Sequence, residues 1–466
     1  MKVEQIYTNC LAQGSYYIES NGEAAVVDPL RDVSKYIELA NKNNARIKYV
    51  FETHLHADFI SGHLTLAKIT DATIVYGPEA DINFSCTIAE DNQIFNIGDI
   101  TLTVLHTPGH TLESSCFLLK NEIGKEHCLF SGDTLFLGDV GRPDLAQKQM
   151  GLTTQELAGI LYDSINNKIK PLSEDILIYP GHGAGSQCGK NMMKETVDTL
   201  GNQKNINYVF SDALVKDDFI KQLTDDLPEP PAYFLSNVKL NKDGYQDISL
   251  ILEKSNKPLS VEEFDAISKE KEVVIIDARH QDDFAKTHIP NSIFIGLDGD
   301  FAPWAGEVIS DIKQPILLVV DKNREKEAII RLSRVGFDNV IGYLDGGVSI
   351  WKDANKEVAN VATITAKDFE ERQKLNKLNI FDVRRNTEYL SEHIIDANST
   401  PLNNIKNHFD KFNLNIDNYI HCAGGYRSMV ANSILKSKGI HNLIDIQGGF
   451  SSIKKTNIAT IEYSTF

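Results

Sequence analysis

The chain has 466 residues, 42% apolar and 24% charged, the balance of a soluble globular protein with room for about three domains. Its 65 acidic and 47 basic side chains leave a formal charge of −18, which disfavours nucleic acid and anionic membranes as partners. No apolar run approaches the ~20 residues of a membrane span, and MKVEQIYTNCLAQGSYYIES at the start has no continuous apolar signal segment, so a cytoplasmic protein is expected.

In chain order, the first half consists of short apolar runs that end in polar turns. AAVVDP (24–29), KYVFETHLH (48–56), LTVLHTPGH (102–110), CLFSGD (128–133) and ILIYPGHG (176–183) all follow that plan. Runs of four to six apolar or β-branched residues predict buried strands. Helices are predicted between them, over Ser34–Asn43 and Thr154–Asn166. This is a layered α/β pattern whose reactive residues lie on loops along one edge.

The prolines of DDLPEPPAYF (225–234) mark a change of character, which places the end of the first domain near residue 245. Beyond it the sequence repeats. VVIIDARHQDDFAKTHIPNS (273–292) matches LNIFDVRRNTEYLSEHIIDAN (378–398) at an offset of 105, putting Asp277, Arg279, Phe284 and His288 on Asp382, Arg384, Tyr389 and His393. The predicted domains are therefore 1–245, 256–356 and 362–466. Within each repeat, strands alternate with helices, as in mainly parallel sheets covered on both faces.

Six residues of the first domain have the chemistry of metal ligands: His54, His56, Asp58, His110, Asp133 and His182. Each follows a predicted strand, so four separate places in the chain deliver them. Three histidines around an open position would suit zinc and hydrolysis. Two histidines and a carboxylate with vacant positions are the ferrous facial triad. His54, His110 and Asp133 form that triad if His56 stands back from the metal, and the sequence leaves this open. Six cysteines (Cys10, Cys86, Cys116, Cys128, Cys188 and Cys422) are scattered without a C-x-x-C pair, which argues against a zinc knuckle or disulfide framework.

HLHAD, TPGH, SGD and PGHG resemble the metallo-β-lactamase superfamily in order and spacing, which implies its αββα sandwich. In two-metal members the second ion takes the aspartate, the third histidine of H-x-H-x-D-H and the GH histidine, with the SGD aspartate bridging. Here Phe59 stands in place of that third histidine, leaving Asp58 and His182 as a poor hold and implying one metal. LFLGDVGRPDL (135–145) and GHGAGSQCGK (181–190) resemble the persulfide dioxygenases fused to rhodanese domains. That resemblance implies one Fe(II) per chain on His54, His110 and Asp133, with His56, Asp58 and His182 behind it or left from a second site. It implies a thiol persulfide and O2 as substrates and sulfite as product. Arg142, with Asp144 beside it, is a candidate to pair with a substrate anion. Cys188 is a candidate relay thiol.

In the last domain a predicted strand delivers Cys422, followed by Ala423, Gly424, Gly425, Tyr426, Arg427 and Ser428 and then a helical run. Backbone N–H groups at a helix N-terminus favour thiolate there, and small residues let the loop curl around the sulfur. This matches the rhodanese signature C-x-x-G-x-R-[ST] and implies a Cys422 persulfide that passes sulfur to sulfite, giving thiosulfate, or the reverse. The first repeat has DKNREKEAII in that place, with Asp321 near the missing cysteine and a turn that reads one or two residues shorter. Its expected role is packing, dimerisation or shaping a channel. Two alternatives stand beside the dioxygenase: a zinc thioester hydrolase of glyoxalase II type, and a sulfur carrier or sensor in which Cys422 alone matters. A homo-oligomer, dimer or tetramer, is expected.

Overall fold

The computed structural model describes residues 1–145, 151–225, 227, 229–270 and 272–462. They divide into two compact units, Met1–Ile251 with Ser333–Gly336, and Leu252–Leu332 with Phe337–Phe466. No helix among the described residues is long and apolar enough to cross a membrane.

The first unit is a sandwich of two six-stranded sheets. One sheet runs in the order Lys2–Thr8, Gln13–Ser20, Glu23–Val27, Arg46–Phe51, Thr73–Tyr76, Thr87–Ile88, antiparallel at first and then parallel. The other runs Asp198–Thr199, Leu177–Pro180, Glu126–Gly132, Ser115–Lys120, Ile100–His106, Ile94–Ile97. Alternation along each strand explains the layers, because successive side chains leave a strand on opposite faces. Tyr16, Ile18, Phe51, Phe117 and Phe130 meet between the sheets. Tyr17, Val26 and Val50 point the other way, against Tyr36 and Leu66 of the flanking helices. Leu118 and Leu129 face outward onto Leu161 and Phe219. Both faces of both sheets are thus apolar, which gives the four-layer αββα arrangement.

The helix predicted over Ser34–Asn43 spans Ser34–Lys42. The second spans Thr154–Ser164, started by a capping box between Thr153 and Glu156, and widens into a π-type turn over Ile165–Ile169.

The second unit holds two five-stranded, wholly parallel sheets, one per repeat. The sequence match extends to atoms. Arg279 forks onto Asp277 and bonds the carbonyl of Thr287 at 2.8 Å. Arg384 does the same with Asp382 and the carbonyl of Glu392, at 2.6 Å. His288 stacks on Phe284 at 3.9 Å and His393 on Tyr389 at 3.8 Å.

Strand register locates the missing nucleophile. Asp277 pairs with Val319 as Asp382 pairs with His421, so Val320, one residue before Asp321, is the counterpart of Cys422. The turn that follows is not shorter, contrary to the sequence expectation. The helix of the first repeat begins at Glu325, five residues past Val320, whereas the second begins at Tyr426, four past Cys422.

The Gly448–Gly449 turn supports the Cys422 loop from below. Gly449 has φ +55°, and a Cβ there would lie 2.3 Å from the Cys422 carbonyl oxygen. Gly449→Ala should therefore destabilise the second unit by at least about 1 kcal/mol, since a left-handed backbone and a clash both oppose the methyl group. A lowered Tm with unchanged metal content of the first unit is the expected result.

Candidate metal centre and sulfur-transfer loop

Parallel pairing of Glu126–Gly132 with Leu177–Pro180 brings Asp133 and His182 out at the same edge, and Arg46–Phe51 delivers His54. At this edge His54, His110 and Asp133 converge, all buried. Asp133 Oδ2 lies 3.8 Å from His54 Nε2 and 3.5 Å from His110 Nε2. Hydrogen bonds behind the rings fix which nitrogen faces inward. Thr53 Oγ1 donates to Asp28 Oδ2 at 2.8 Å, so it accepts from His54 Nδ1 at 3.0 Å. His110 Nδ1 donates to the carbonyl of Arg142 at 2.8 Å. Both Nε2 atoms therefore present lone pairs, and Asp133 Oδ2 is buried without a hydrogen-bond partner. Three acceptors facing one another with no proton between them fit a cation. Burial and the neighbouring His56 hold His54 well below its usual range, so it is neutral and free to ligate. Burial opposes the charge on Asp133, but the charged His182 beside it prevails and keeps it ionised.

His56 does not join this group. Its Nε2 sits 3.1 Å from Asp28 Oδ1 and 3.2 Å from Glu52 Oε2. Burial works against a charge on His56, yet those two carboxylates raise it well above its usual range. Phe59 is fully buried with its ring 4.4 Å from that of His56. Asn241 holds the loop from behind, donating to the carbonyls of His56 and Phe59, each at 2.8 Å, and accepting from Ser61 N–H. Sequence reading missed Asp28, Glu52, Thr53 and Asn241. A signal existed for Asp28, the charged residue closing the apolar run AAVVDP, where it adopts φ +49°. For Asn241, a buried amide on helix Phe234–Asp243, there was none.

Asp58, His182 and Cys188 form a second buried group beside the first. His182 bridges two carboxylates, Nδ1 to Asp133 Oδ1 and Nε2 to Asp58 Oδ2, each 2.8 Å. Burial resists its charge, but Asp133 and Asp58 push it up to about 10. Burial, with Asp58 and Asp133 facing the sulfur, raises the Cys188 thiol well above its usual range.

Arg142 is 2% exposed. Its guanidinium forks onto Asp144 with two bonds of 2.7 Å and reaches the carbonyl of Gln187. Its backbone N–H donates to the carbonyl of Cys188. Arg142, the candidate for a substrate anion, has its guanidinium on Asp144 and ties the His110 ligand to the Cys188 loop through its own carbonyl and N–H.

In the last repeat, strand Asn418–His421 delivers Cys422 to the N-terminus of helix Tyr426–Ser437. Gly425, at φ +106°, donates its N–H to the Cys422 sulfur at 3.0 Å. Arg427 forks onto Glu388 at 2.6 and 2.8 Å, and Ser428 closes the turn onto the Gly425 carbonyl. Ala423 and Gly424 complete the loop, and Tyr426 donates its hydroxyl to the carbonyl of Gly296 in the first repeat.

Comparison with known proteins agrees with this layout. The metallo-beta-lactamase superfamily model matches residues 9–182, and the rhodanese-like domain model matches residues 260–354 and 365–456. A hydroxyacylglutathione hydrolase of Francisella philomiragia is 30% identical over 201 residues, 43% of this chain and 73% of the relative. A solved metallo-beta-lactamase from Staphylococcus aureus is 33% identical with a TM-score of 0.64, covering 74% of this chain and 98% of its own. The chain belongs to the metallo-β-lactamase superfamily. It carries two rhodanese-like domains after the metallo-β-lactamase fold. A cytoplasmic hydroxyacylglutathione hydrolase of Arabidopsis thaliana is 33% identical over 178 residues, 37% of this chain. Of this and two further curated hydrolases the chain spans only 60–65% of the length.

For this metallo-β-lactamase superfamily member, Thr53 is the residue that sets the His54 tautomer. Thr53→Val keeps the shape and removes the hydroxyl. Metal affinity should fall by about 10–100-fold, as for other orienting partners of a ligand histidine, with Tm of the metal-free protein changed far less; competition with a chromogenic chelator measures it.

Proposed function

We propose that the chain is a persulfide dioxygenase coupled to a sulfurtransferase. The observation that carries this reading is the donor set: two imidazoles and one carboxylate around a buried point, with His56 turned away into Asp28 and Glu52. Such a set leaves positions open for O2 and substrate together and suits iron(II). The balanced reaction is RS–SH + O2 + H2O → RSH + SO3²⁻ + 2H⁺, with both atoms of O2 entering the terminal sulfur.

Iron(II) on His54, His110 and Asp133 supplies the activation of O2 and a seat for the sulfur. The chain's own groups prepare the rest. Thr53 and the Arg142 carbonyl keep both ligand nitrogens unprotonated on the inner side. The protonated His182 holds positive charge beside Asp133. A recess of ≈ 330 Å³, lined by Ala57, Leu145, Pro231, Phe234, Leu235 and Val238, abuts the metal loop and suits the carbon arm of a thiol.

In the last domain, sulfite attacks the outer sulfur of a Cys422 persulfide, so that Cys–S–S⁻ + SO3²⁻ → Cys–S⁻ + S2O3²⁻. The Gly425 N–H, already 3.0 Å from the Cys422 sulfur, is placed to receive the returning negative charge. Covalent tethering raises the effective concentration of sulfite at the second site. Run backwards, the same step would draw sulfur from thiosulfate.

The competing reading is a zinc thioester hydrolase, favoured by the hydroxyacylglutathione hydrolases among the relatives. Metal analysis of anaerobically purified protein beside oxygen-electrode traces separates them. Stoichiometric iron and persulfide-dependent O2 uptake are expected; zinc with thioester cleavage and no O2 uptake would overturn the proposal. Asp133→Ala should abolish sulfite formation while sulfur transfer through Cys422 persists, and Cys422→Ser should do the reverse. A wild type that forms no sulfite, with sulfur transfer left intact in Asp133→Ala, would instead mean that Cys422 alone matters.

A further inference from the structure

The Cys422 loop is tied to its own domain at its start, where the carbonyls of Cys422 and Ala423 accept from Phe450 and Ser451 N–H at 2.7 and 3.0 Å. Gly424 and Gly425 follow, and two glycines in a row leave the backbone free to turn in several ways. Gly425 carries the N–H that meets the sulfur at 3.0 Å, so whatever holds its far side decides where that N–H points. The next residue is Tyr426, and its side chain crosses to the first copy. We propose that Tyr426 is a positioning residue for Cys422 and that the Gly296–Gly299 turn of the first copy is its socket. The proposal rests on sulfur transfer through Cys422 and gives a task in it to the copy that has no cysteine.

The socket is shaped for this ring. The Tyr426 hydroxyl donates to the Gly296 carbonyl at 2.8 Å, and Phe294 meets the ring at 5.5 Å and 63°. A Cβ at Gly296 would lie 3.2 Å from Tyr426 Cε2, and one at Gly299 would run into the same ring, so glycine at 299 is what admits it. Burial raises the Tyr426 hydroxyl above its usual range, so it stays a donor.

The turn is itself braced. Arg331 donates to the carbonyls of Leu297 and Gly299, the latter at 2.9 Å, and reaches Glu327 Oε1 at 3.2 Å. Leu297 N–H donates to the Ala278 carbonyl at 3.0 Å. Arg331 lies on helix Glu325–Ser333, which follows Val320 as helix Tyr426–Ser437 follows Cys422. The second-copy helix cradles the sulfur, and its first-copy counterpart braces the seat of Tyr426. Such a seat matters because misplacing reacting atoms by about 1 Å can cost 10²-fold in rate.

The test uses the full-length protein, with thiosulfate as sulfur donor and cyanide as acceptor, beside hydrogen exchange of the segment 422–428. Tyr426→Phe keeps the ring and removes one hydrogen bond. It should lower kcat about two- to tenfold, leave KM and Tm nearly unchanged and speed exchange in that segment. Gly299→Ala, which changes only the first copy, should cost about tenfold or more in kcat. In a Tyr426→Ala background the same Gly299→Ala should add nothing further, because the ring it obstructs is gone. Wild-type kcat and exchange in Tyr426→Phe, a loss that falls on KM alone, or a Gly299→Ala penalty that is the same without the ring would each overturn the proposal. A wild type that moves no sulfur would fail the sulfurtransferase reading instead. Exchange over 422–428 then decides the socket by itself, faster in Tyr426→Phe if the socket holds the loop and unchanged if it does not.

Discussion

A carboxylate sealed from water at the end of a core strand must find a partner for each oxygen, and Asp133 is in that position. Oδ1 has His182, whereas Oδ2 faces only two nitrogens whose protons point the other way. The backbone is shaped to permit this closeness. Gly132 takes φ +50° with Thr53 where its Cβ would be, and a Cβ at Gly181 would lie 2.6 Å from Asp133 Oδ1. Larger residues at either position would push apart the strand ends that bring His54, Asp133 and His182 together. The site thus depends on parallel strands ending level and on glycines that let them touch.

Much of this was legible in the sequence because each ligand follows its own apolar run, and a strand end is a local feature. A layered α/β pattern was equally legible from the apolar runs, whereas the αββα sandwich came through the resemblance of HLHAD, TPGH, SGD and PGHG to the metallo-β-lactamase superfamily. What could not be read was whatever depends on a distant partner. Whether His56 ligates is decided by Asp28 and Glu52, and nothing in H-x-H-x-D reports their position. That Arg142 forks onto Asp144, two residues on, inside the protein could not be read from the motif. Cys188 looked solitary, because its nearness to Asp58 arises only when loops 130 residues apart share one strand edge.

The repeat shows the same division between local and distant information. Aspartate–arginine forks and stacked histidines follow from motifs a few residues long, and they appear in both copies as the sequence match implies. The length of the turn after strand Ile316–Val319 was misread, since it depends on where the helix starts. Arg324 opens the first-copy helix one residue later than Gly425 opens the second, and its guanidinium is bonded to Glu327 and Asp298. A cradle of inward backbone donors needs a short, glycine-bearing turn. With a valine for the cysteine and a longer polar turn, the first copy has neither sulfur nor cradle.

That loss leaves a reason for the first copy to persist. Helix Tyr426–Ser437 carries the Cys422 loop and is buried nearly all round, with Met429, Val430, Ala431, Ile434 and Leu435 spread over its faces. A helix of that kind is stable only when covered on every side. Its own sheet covers one side through Phe381 and Ile420. Phe284, Ala285 and Phe294 of the first copy join the same cluster, and Phe294 donates its N–H to Ser433 on the helix. The domain that cannot carry sulfur therefore supplies part of the core under the domain that can, and truncating it would expose apolar surface at the base of the Cys422 loop.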